Sequence, residues 1–315
     1  MRGARAVGLL LGVAADAVVP DPRRGHPVAA FGNLAQRAEI ALHRDRRSAG
    51  VGYAALLVGG AAGFGAVVQR CSRHPLGEVA TTAAATWAVL GGSSLAAEGS
   101  AMARSLDDGD LPAARGRLGH LCGRDPSGMG EAELARATVE SLAENTSDAV
   151  VAPLLWGAAA GVPGLLGYRA ANTLDAMVGR RSPRYENFGW AAARLDDLLN
   201  LVPARVAAAL AVAGAPVVGG SAGQAWRTWR ADAAAHPSPN AGQVEAAFAG
   251  ALGLRLGGRT VYPHAVEERP VLGSGAPPAT RDVGRTAALS RVVGALAAGI
   301  AAASSVRRGD RAPSR

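Results

Sequence analysis

Apolar residues concentrate in six stretches, 6–19, 51–68, 79–97, 149–166, 206–220 and 286–303, with polar segments between them. Each is long and apolar enough to enter a bilayer, although most fall at the short end of the roughly 20 residues that a spanning helix needs. Stretches 51–68 and 79–97 flank a short turn at His74-Pro75 and predict a helical hairpin. Stretch 149–166 is punctuated by Pro153, Gly157, Gly161, Pro163 and Gly164. Helix breakers at membrane depth are tolerated where the backbone is covered by protein or lines a cavity, so a broken or re-entrant helix is expected there. The pattern predicts an all-α, polytopic integral membrane protein with broken or re-entrant helices and polar cytoplasmic helices. A soluble helical scaffold is the rival, because alanine and glycine leave each stretch only marginally hydrophobic.

The polar region 98–140 reads as helical, with a turn over 123–128 and a new helix starting at Glu131. Residues 1–303 read as one membrane-embedded catalytic domain and 304–315 as a disordered Arg-rich tail. Beyond Tyr262 the pattern predicts a loop containing Pro and Gly, then one more apolar helix. The N-terminus begins like a signal peptide, with Arg2 and Arg5 before an apolar run. Asp16 interrupts that run and Pro20-Asp21-Pro22 stands where a cleavage site needs small residues, so retention is expected.

Within 140–148, Glu140, Glu144 and Asp148 follow Arg136 at successive four-residue steps and share one helical face. The stripe leads directly into apolar sequence. Carboxylates beside membrane-depth sequence are costly and mark places where something is bound or reacted, and two carboxylates one turn apart repel without a cation. A solvated helix face is the bland alternative.

Four further clusters sit in or beside apolar sequence. Asp16 and Asp21 precede His26, which suits a general base or a turn residue. Tyr168, Asn172 and Asp175 share a helix face and suit a metal-bound phosphate or a helix cap. Arg194, Asp196, Asp197 and Arg205 form the third; adjacent aspartates point about 100° apart and serve two ions or two neighbours rather than one chelate. Asp232, His236 and Asn240 form the fourth, with Asn240 placed to cap a helix whose Gly242, Ala246, Gly250 and Gly253 allow close approach.

Composition narrows the chemistry. The chain is 49% hydrophobic but only 4% aromatic, which suits close-packed helices. All 33 basic residues are Arg, and the net charge is +8. Without Lys there is neither a Schiff-base residue for pyridoxal phosphate nor a P-loop lysine, so a bound phosphate must be met by Arg, backbone amides or a metal ion. The basic balance fits anionic ligands or Arg-rich cytoplasmic loops; nucleic acid is not expected, because no stacking aromatics are interleaved with the arginines. Cys71 and Cys122 lack paired partners and are expected to be reduced.

Ala15-Asp16, Pro20-Asp21-Pro22, His26-Pro27-Val28, Gly123-Arg124-Asp125, the run 140–153, Asn172-Thr173-Leu174-Asp175-Ala176-Met177-Val178-Gly179, the segment 188–205 and the segment 236–258 together resemble the adenosylcobinamide-phosphate synthase family, the integral-membrane CobD/CbiB family of cobalamin biosynthesis. The match departs at Arg180-Arg181, where Tyr then a basic residue is expected. The resemblance implies an acid–amine ligase in a bacterial cell membrane, multi-pass. Its implied substrates are adenosylcobyric acid, through the propionate f carboxylate, and (R)-1-aminopropan-2-ol or its O-phosphate, with ATP and Mg²⁺. Membrane lipid and other cobalamin-assembly enzymes are the expected associates.

Amide formation from a carboxylate is uphill in water, so the acid must be activated, most simply as an acyl phosphate. On that reading Glu140, Glu144, Asp148, Asp196 and Asp197 hold Mg²⁺, and Arg124, Asn145, Asn172, Arg194, Arg205, His236 and Asn240 hold the nucleotide. His26, Glu144 and Asp175 are the catalytic candidates, with His26 or Asp175 taking the ammonium proton. ATP is cytoplasmic, so the broken stretches 149–166 and 206–220 are expected to re-enter or to line a midplane cavity. The alternative from another class is a transporter or channel using intramembrane carboxylates, which would need paired halves that the hydropathy does not show.

Overall fold

A computed structural model of the chain describes residues 3–19, 21–22, 25–72, 74–180, 182–262 and 265–310. In chain order its helices are α1 (Ala4–Val18), α2 (Pro27–Leu42), α3 (Arg47–Cys71), α4 (Pro75–Val89), α5 (Gly92–Asp107), α6 (Leu111–Leu121), α7 (Glu131–Thr146), α8 (Ala152–Ala160), α9 (Val162–Leu174), α10 (Trp190–Gly214), α11 (Ala222–Asp232) and α12 (Ala241–Leu252). Strands β1 (Leu256–Tyr262) and β2 (Ala265–Leu272) follow, and α13 (Thr280–Asp310) closes the chain. Single π-helical turns occupy Ser147–Val151 and Asp175–Gly179, both inside the acidic motifs. Such turns recur at functional sites.

The antiparallel β1–β2 hairpin corrects the all-α expectation and replaces the loop foreseen after Tyr262. Its Thr260, Val261, Tyr262, Val266 and Val271 have the β-branched and aromatic chemistry that suits a pleated surface. The tail beyond Asp310, with Arg181 and the prolyl and arginyl positions 20, 23 and 24, lies outside the described residues.

The chain forms two compact units. Unit 1 comprises Met1–Gly91, Ala152–Asn200 and Ala297–Arg315; unit 2 comprises Gly92–Val151 and Leu201–Leu296. In unit 1, Gly8 and Gly12 of α1 meet Thr82 and Thr86 of α4 so closely that a Cβ on Gly12 would sit 2.8 Å from the Ala83 carbonyl oxygen. Gly65 of α3 likewise lies on Pro163 at the start of α9, and Gly167 of α9 lies on Ala62. The glycine faces therefore pair α1 with α4 and α3 with α9. This corrects the hairpin expected from 51–68 and 79–97, and the second of those stretches breaks after Val89.

Gly12→Ala is expected to destabilise the chain by about 1–3 kcal/mol through overpacking. Gly59→Ala, where nothing lies within 4 Å, should instead gain up to about 1 kcal/mol of helix propensity. Thermal unfolding of the detergent-solubilised chain separates the two; equal shifts would contradict the α1–α4 packing.

Stretch 149–166 is broken as expected. α8 ends at Gly161, whose φ of +69° only glycine adopts cheaply, and α9 turns back with Gly164 against the Trp156 carbonyl. Stretch 206–220 is not re-entrant, because α10 runs unbroken from Trp190 through Pro203 and on into a 3-10 turn ending at Val218. Among the described residues three helical segments are long and apolar enough to cross a membrane: Arg47–Cys71, Trp190–Val218 and Thr280–Val306. α1 and α4, at 15 residues each, rise about 22 Å against a core of about 30 Å.

Candidate active site

In unit 2, α12 is buried along almost its whole length, and its C-terminus is closed by Gly253 in the left-handed region at φ +70°. The chain then enters β1 through an irregularity at Gly257. Gly257 has φ +87°, and a Cβ there would strike the Pro270 carbonyl oxygen, so glycine is required. A bulge frees a backbone N–H from the ladder. The Gly257 N–H donates to Glu140 Oε1 at 2.7 Å.

The other Glu140 oxygen, Oε2, lies 2.5 Å from Arg124 Nη1, and the two side chains are 1% and 7% exposed. Burial opposes the Arg124 charge, but the adjacent Glu140 carboxylate more than offsets it and raises the Arg124 pKa. Arg136, one turn before Glu140, donates to the Gly257 and Arg259 carbonyl oxygens. The α7 stripe thus grips the bulge from two residues.

A second set of buried charges adjoins it. His236 Nδ1 accepts from the Ser238 N–H at 3.1 Å, and its Nε2 lies 3.1 Å from Arg269 Nη1 and 4.0 Å from Glu245 Oε1. Arg269 also donates to the Tyr262 hydroxyl at 2.6 Å. Burial foremost, then the charge of Arg269, lowers the His236 pKa and favours the neutral ring. Burial, reinforced by Glu140 and Glu144 and opposed by Arg124 and Arg269, raises the Glu245 pKa well above the usual carboxylate value.

The Glu245 shift has a definite sign. The native state holds this proton more tightly than the unfolded chain, so stability from this group is fullest below the unfolded pKa near 4.3 and falls as pH rises toward the folded value. Glu245→Gln, which mimics the neutral acid, is expected to unfold at a higher temperature than the parent at alkaline pH and to flatten that part of the stability profile. A parallel profile would contradict it.

Glu144 is exposed and makes no hydrogen bond or ion pair among the described residues. Asp148 is half-buried within the π-helical turn that starts at Ser147. Asn145 folds back onto its own helix, donating to the Ser141 carbonyl and hydroxyl oxygens at 2.9 and 3.1 Å. Arg205 donates to the Leu201 carbonyl of its own helix at 2.7 Å. Asn240 occupies the N-cap position of α12, but the cap is made by Ser238 Oγ, which accepts from the Asn240 and Ala241 amides. That corrects the expected capping role of the Asn240 side chain.

The remaining candidates belong to unit 1. Asn172 Nδ2 donates to Asp196 Oδ1 at 3.3 Å, Asn200 Nδ2 to Asp196 Oδ2 at 3.0 Å, and the Tyr168 hydroxyl to Asn200 Oδ1 at 2.9 Å. Two clusters read separately from the sequence are therefore one network between α9 and α10. Asp197 lies 3.6 Å from Arg194, so that arginine faces a carboxylate of its own helix. Asp175 opens the second π-helical turn, where Gly179 leaves room for its carboxylate. His26 begins α2: Nδ1 accepts from the Val28 N–H at 3.2 Å and Nε2 lies 3.3 Å from Asp21. His74-Pro75 starts α4 with the same cap, which gives His26 a structural job with a precedent in this chain.

Of the five carboxylates expected to share Mg²⁺, Glu140, Glu144 and Asp148 lie in unit 2 and Asp196 and Asp197 in unit 1. Among the described residues no group of three or more His, Cys, Asp or Glu side chains has metal-binding geometry. Glu140 is already satisfied by a guanidinium and an amide, and Asp196 by two amide side chains. A Mg²⁺ held mainly through substrate phosphates needs only one or two carboxylates, and the exposed Glu144 is the available candidate in unit 2. Glu245, Arg269 and Tyr262 were not picked out as candidates. Glu245 could have been, since it is the one acid in the apolar helix 241–252.

The fold and the buried site define a helical membrane protein with a concentrated Arg–carboxylate centre. The model of the CobD/Cbib protein family matches residues 9–290, and the chain belongs to that family. The "Cobalamin biosynthesis protein CobD" of Mycobacterium tuberculosis is 57% identical over 297 residues, covering 94% of this chain and 95% of the relative. Proteins of the same name from Geobacter metallireducens and Rhodobacter capsulatus are 45% identical over 271 residues and 42% over 273; the first pair covers 84% of this chain and 85% of the relative, the second 85% and 86%. No solved structure matches. The chain thus belongs to a family whose named members are cobalamin biosynthesis proteins, and three of its described helices are long and apolar enough to cross a membrane.

Proposed function

We propose that the chain is an ATP-dependent acid–amine ligase of a multi-pass bacterial cell-membrane type. It joins (R)-1-aminopropan-2-ol, or its O-phosphate, to the propionate f carboxylate of adenosylcobyric acid. The observation that carries this reading is the unit 2 centre, where the fixed Arg124–Glu140 pair adjoins Arg269 and a neutral His236, and an unengaged carboxylate, Glu144, stands one turn along. In a lysine-free chain that is a suitable place for anionic phosphate oxygens.

The propionate carboxylate attacks the γ-phosphorus of ATP, giving an acyl phosphate and ADP. The amine then attacks the acyl carbon, and the amide forms as phosphate and a proton leave. Arg269, which also faces Glu267 at 3.5 Å, and Arg124 supply guanidinium N–H donors for the phosphate oxygens. The ammonium gives up its proton to water before the amine attacks, while neutral His236 packs against the Arg269 guanidinium. Glu144 would hold Mg²⁺, which neutralises charge on the phosphates.

Purified protein given adenosylcobyric acid, aminopropanol phosphate and Mg-ATP is expected to release ADP only when the amine is present, in step with the corrin amide. Absence of amine-dependent ADP release from folded protein would overturn the ligase reading.

A further inference from the structure

We propose that α11 is an interfacial helix that lies in the headgroup layer of the membrane and binds anionic phospholipid through Trp226, Arg227 and Arg230. The inference rests on Trp190–Val218 being a membrane span. Ala222 follows Val218 by four residues, so the start of α11 lies within about 14 Å of the end of that span even if the link is fully extended. The N-terminus of α11 therefore starts close to the membrane boundary.

The exposed face has the matching chemistry. α11 packs on α12 through Ala225 and Thr228, which meet Gly250. Trp229 is tied down by its indole N–H, which donates to Gln243 Oε1 at 2.9 Å. The opposite face presents Trp226, 50% exposed, with Arg227 and Arg230. Trp226 stands edge-on to Trp229 at 5.3 Å, and the Arg230 guanidinium lies 5.9 Å from the Trp226 ring. A half-exposed indole beside the Arg230 guanidinium, with Arg227 exposed on the same helix, is poorly suited to bulk water. It suits the boundary where a ring meets acyl carbonyls and arginines meet phosphate. Val217, 70% exposed at the end of the span, continues the apolar surface toward it.

The consequence reaches the candidate site. Asp232, the last residue of α11, accepts the Gly273 N–H at 2.7 Å beside β2, and the chain then runs directly to His236. Anchoring α11 places the unit 2 centre at the membrane surface, within reach of water-soluble nucleotide.

The test uses the full chain with Cys71 and Cys122 replaced by Ser, reconstituted in nanodiscs that contain anionic lipid. Nitroxides are attached at Gly223→Cys on α11, at Val202→Cys on the span and at Gly116→Cys on the polar helix α6. The ratio of oxygen to nickel-chelate accessibility reports depth. The Gly223→Cys label is expected to read between the other two, at headgroup depth, and to shift toward the Gly116→Cys value when Arg227 and Arg230 are both replaced by Gln or when anionic lipid is omitted. A Gly223→Cys value equal to that of Gly116→Cys overturns the proposal, as does shielding from both reagents, which would mean a protein cover. A water-like value at Val202→Cys removes the span and the proposal with it, while leaving the ligase reading to its own assay.

Discussion

Arg124→Gln is expected to destabilise the folded chain by about 3–5 kcal/mol, the usual cost of removing one partner of a buried ion pair. The reason is what it leaves behind. Glu140 is 1% exposed and would lose the guanidinium at 2.5 Å, keeping only the Gly257 amide against full desolvation. The exposed pair Arg117–Glu98 lies at 3.4 Å with side chains 38% and 30% exposed, and its loss should cost at most about 1 kcal/mol. A double variant, Arg124→Met with Glu140→Gln, retains an acceptor for Gly257 and is expected to recover much of the loss, because no unpaired charge remains. Thermal unfolding of the three variants in one detergent checks this. A shift for Arg124→Gln as small as that for Arg117→Gln would show that the pair does not support the site.

Glu144→Gln is expected to act in the opposite way, sparing stability and removing turnover. Its carboxylate is exposed and holds nothing together among the described residues, so unfolding should move by no more than about 0.5 kcal/mol. If the carboxylate orients Mg-nucleotide, turnover should fall on the order of 100-fold, and raised Mg²⁺ should restore part of it. Turnover with normal Mg²⁺ dependence from the folded variant would sink the assignment.

The contrast between these neighbours shows how far the sequence could be read. Four-residue spacing placed Arg136, Glu140 and Glu144 on one face of α7, and the acidic run did mark a centre of buried charge. Spacing could not say what each residue meets. Arg136 and Glu140 are engaged by the backbone of β1, about 120 residues further on, at a bulge whose N–H is free only because Gly257 adopts a positive φ. That partner is a tertiary fact. Spacing also gave no sign that Asp148 falls inside a π-helical turn, just before Pro153, which has no N–H for a regular ladder.

Helix partners show the same division. Hydropathy located the long helices α3 and α13, but of α10 it caught only the second half, from Val206. It could not choose neighbours, because at similar hydropathy the choice falls to faces where glycine permits contact, as at Gly12 on Thr86 and Gly65 on Pro163. The β1–β2 hairpin was legible in principle from its β-branched run, but Gly257, Gly258 and Pro270 within it read as loop. Asn172 and Asp196 were each visible as polar residues in apolar surroundings. Their hydrogen bond was not, since it depends on how α9 and α10 pack.

Isotope transfer tests the central claim, activation of a corrinoid carboxylate by ATP, most directly. Adenosylcobyric acid labelled with ¹⁸O in the propionate f carboxylate is turned over with aminopropanol phosphate and Mg-ATP, and the released phosphate is weighed by mass spectrometry. The account predicts one ¹⁸O delivered to inorganic phosphate for each amide formed. Amide formed with unlabelled phosphate, or with the label in AMP, would contradict it.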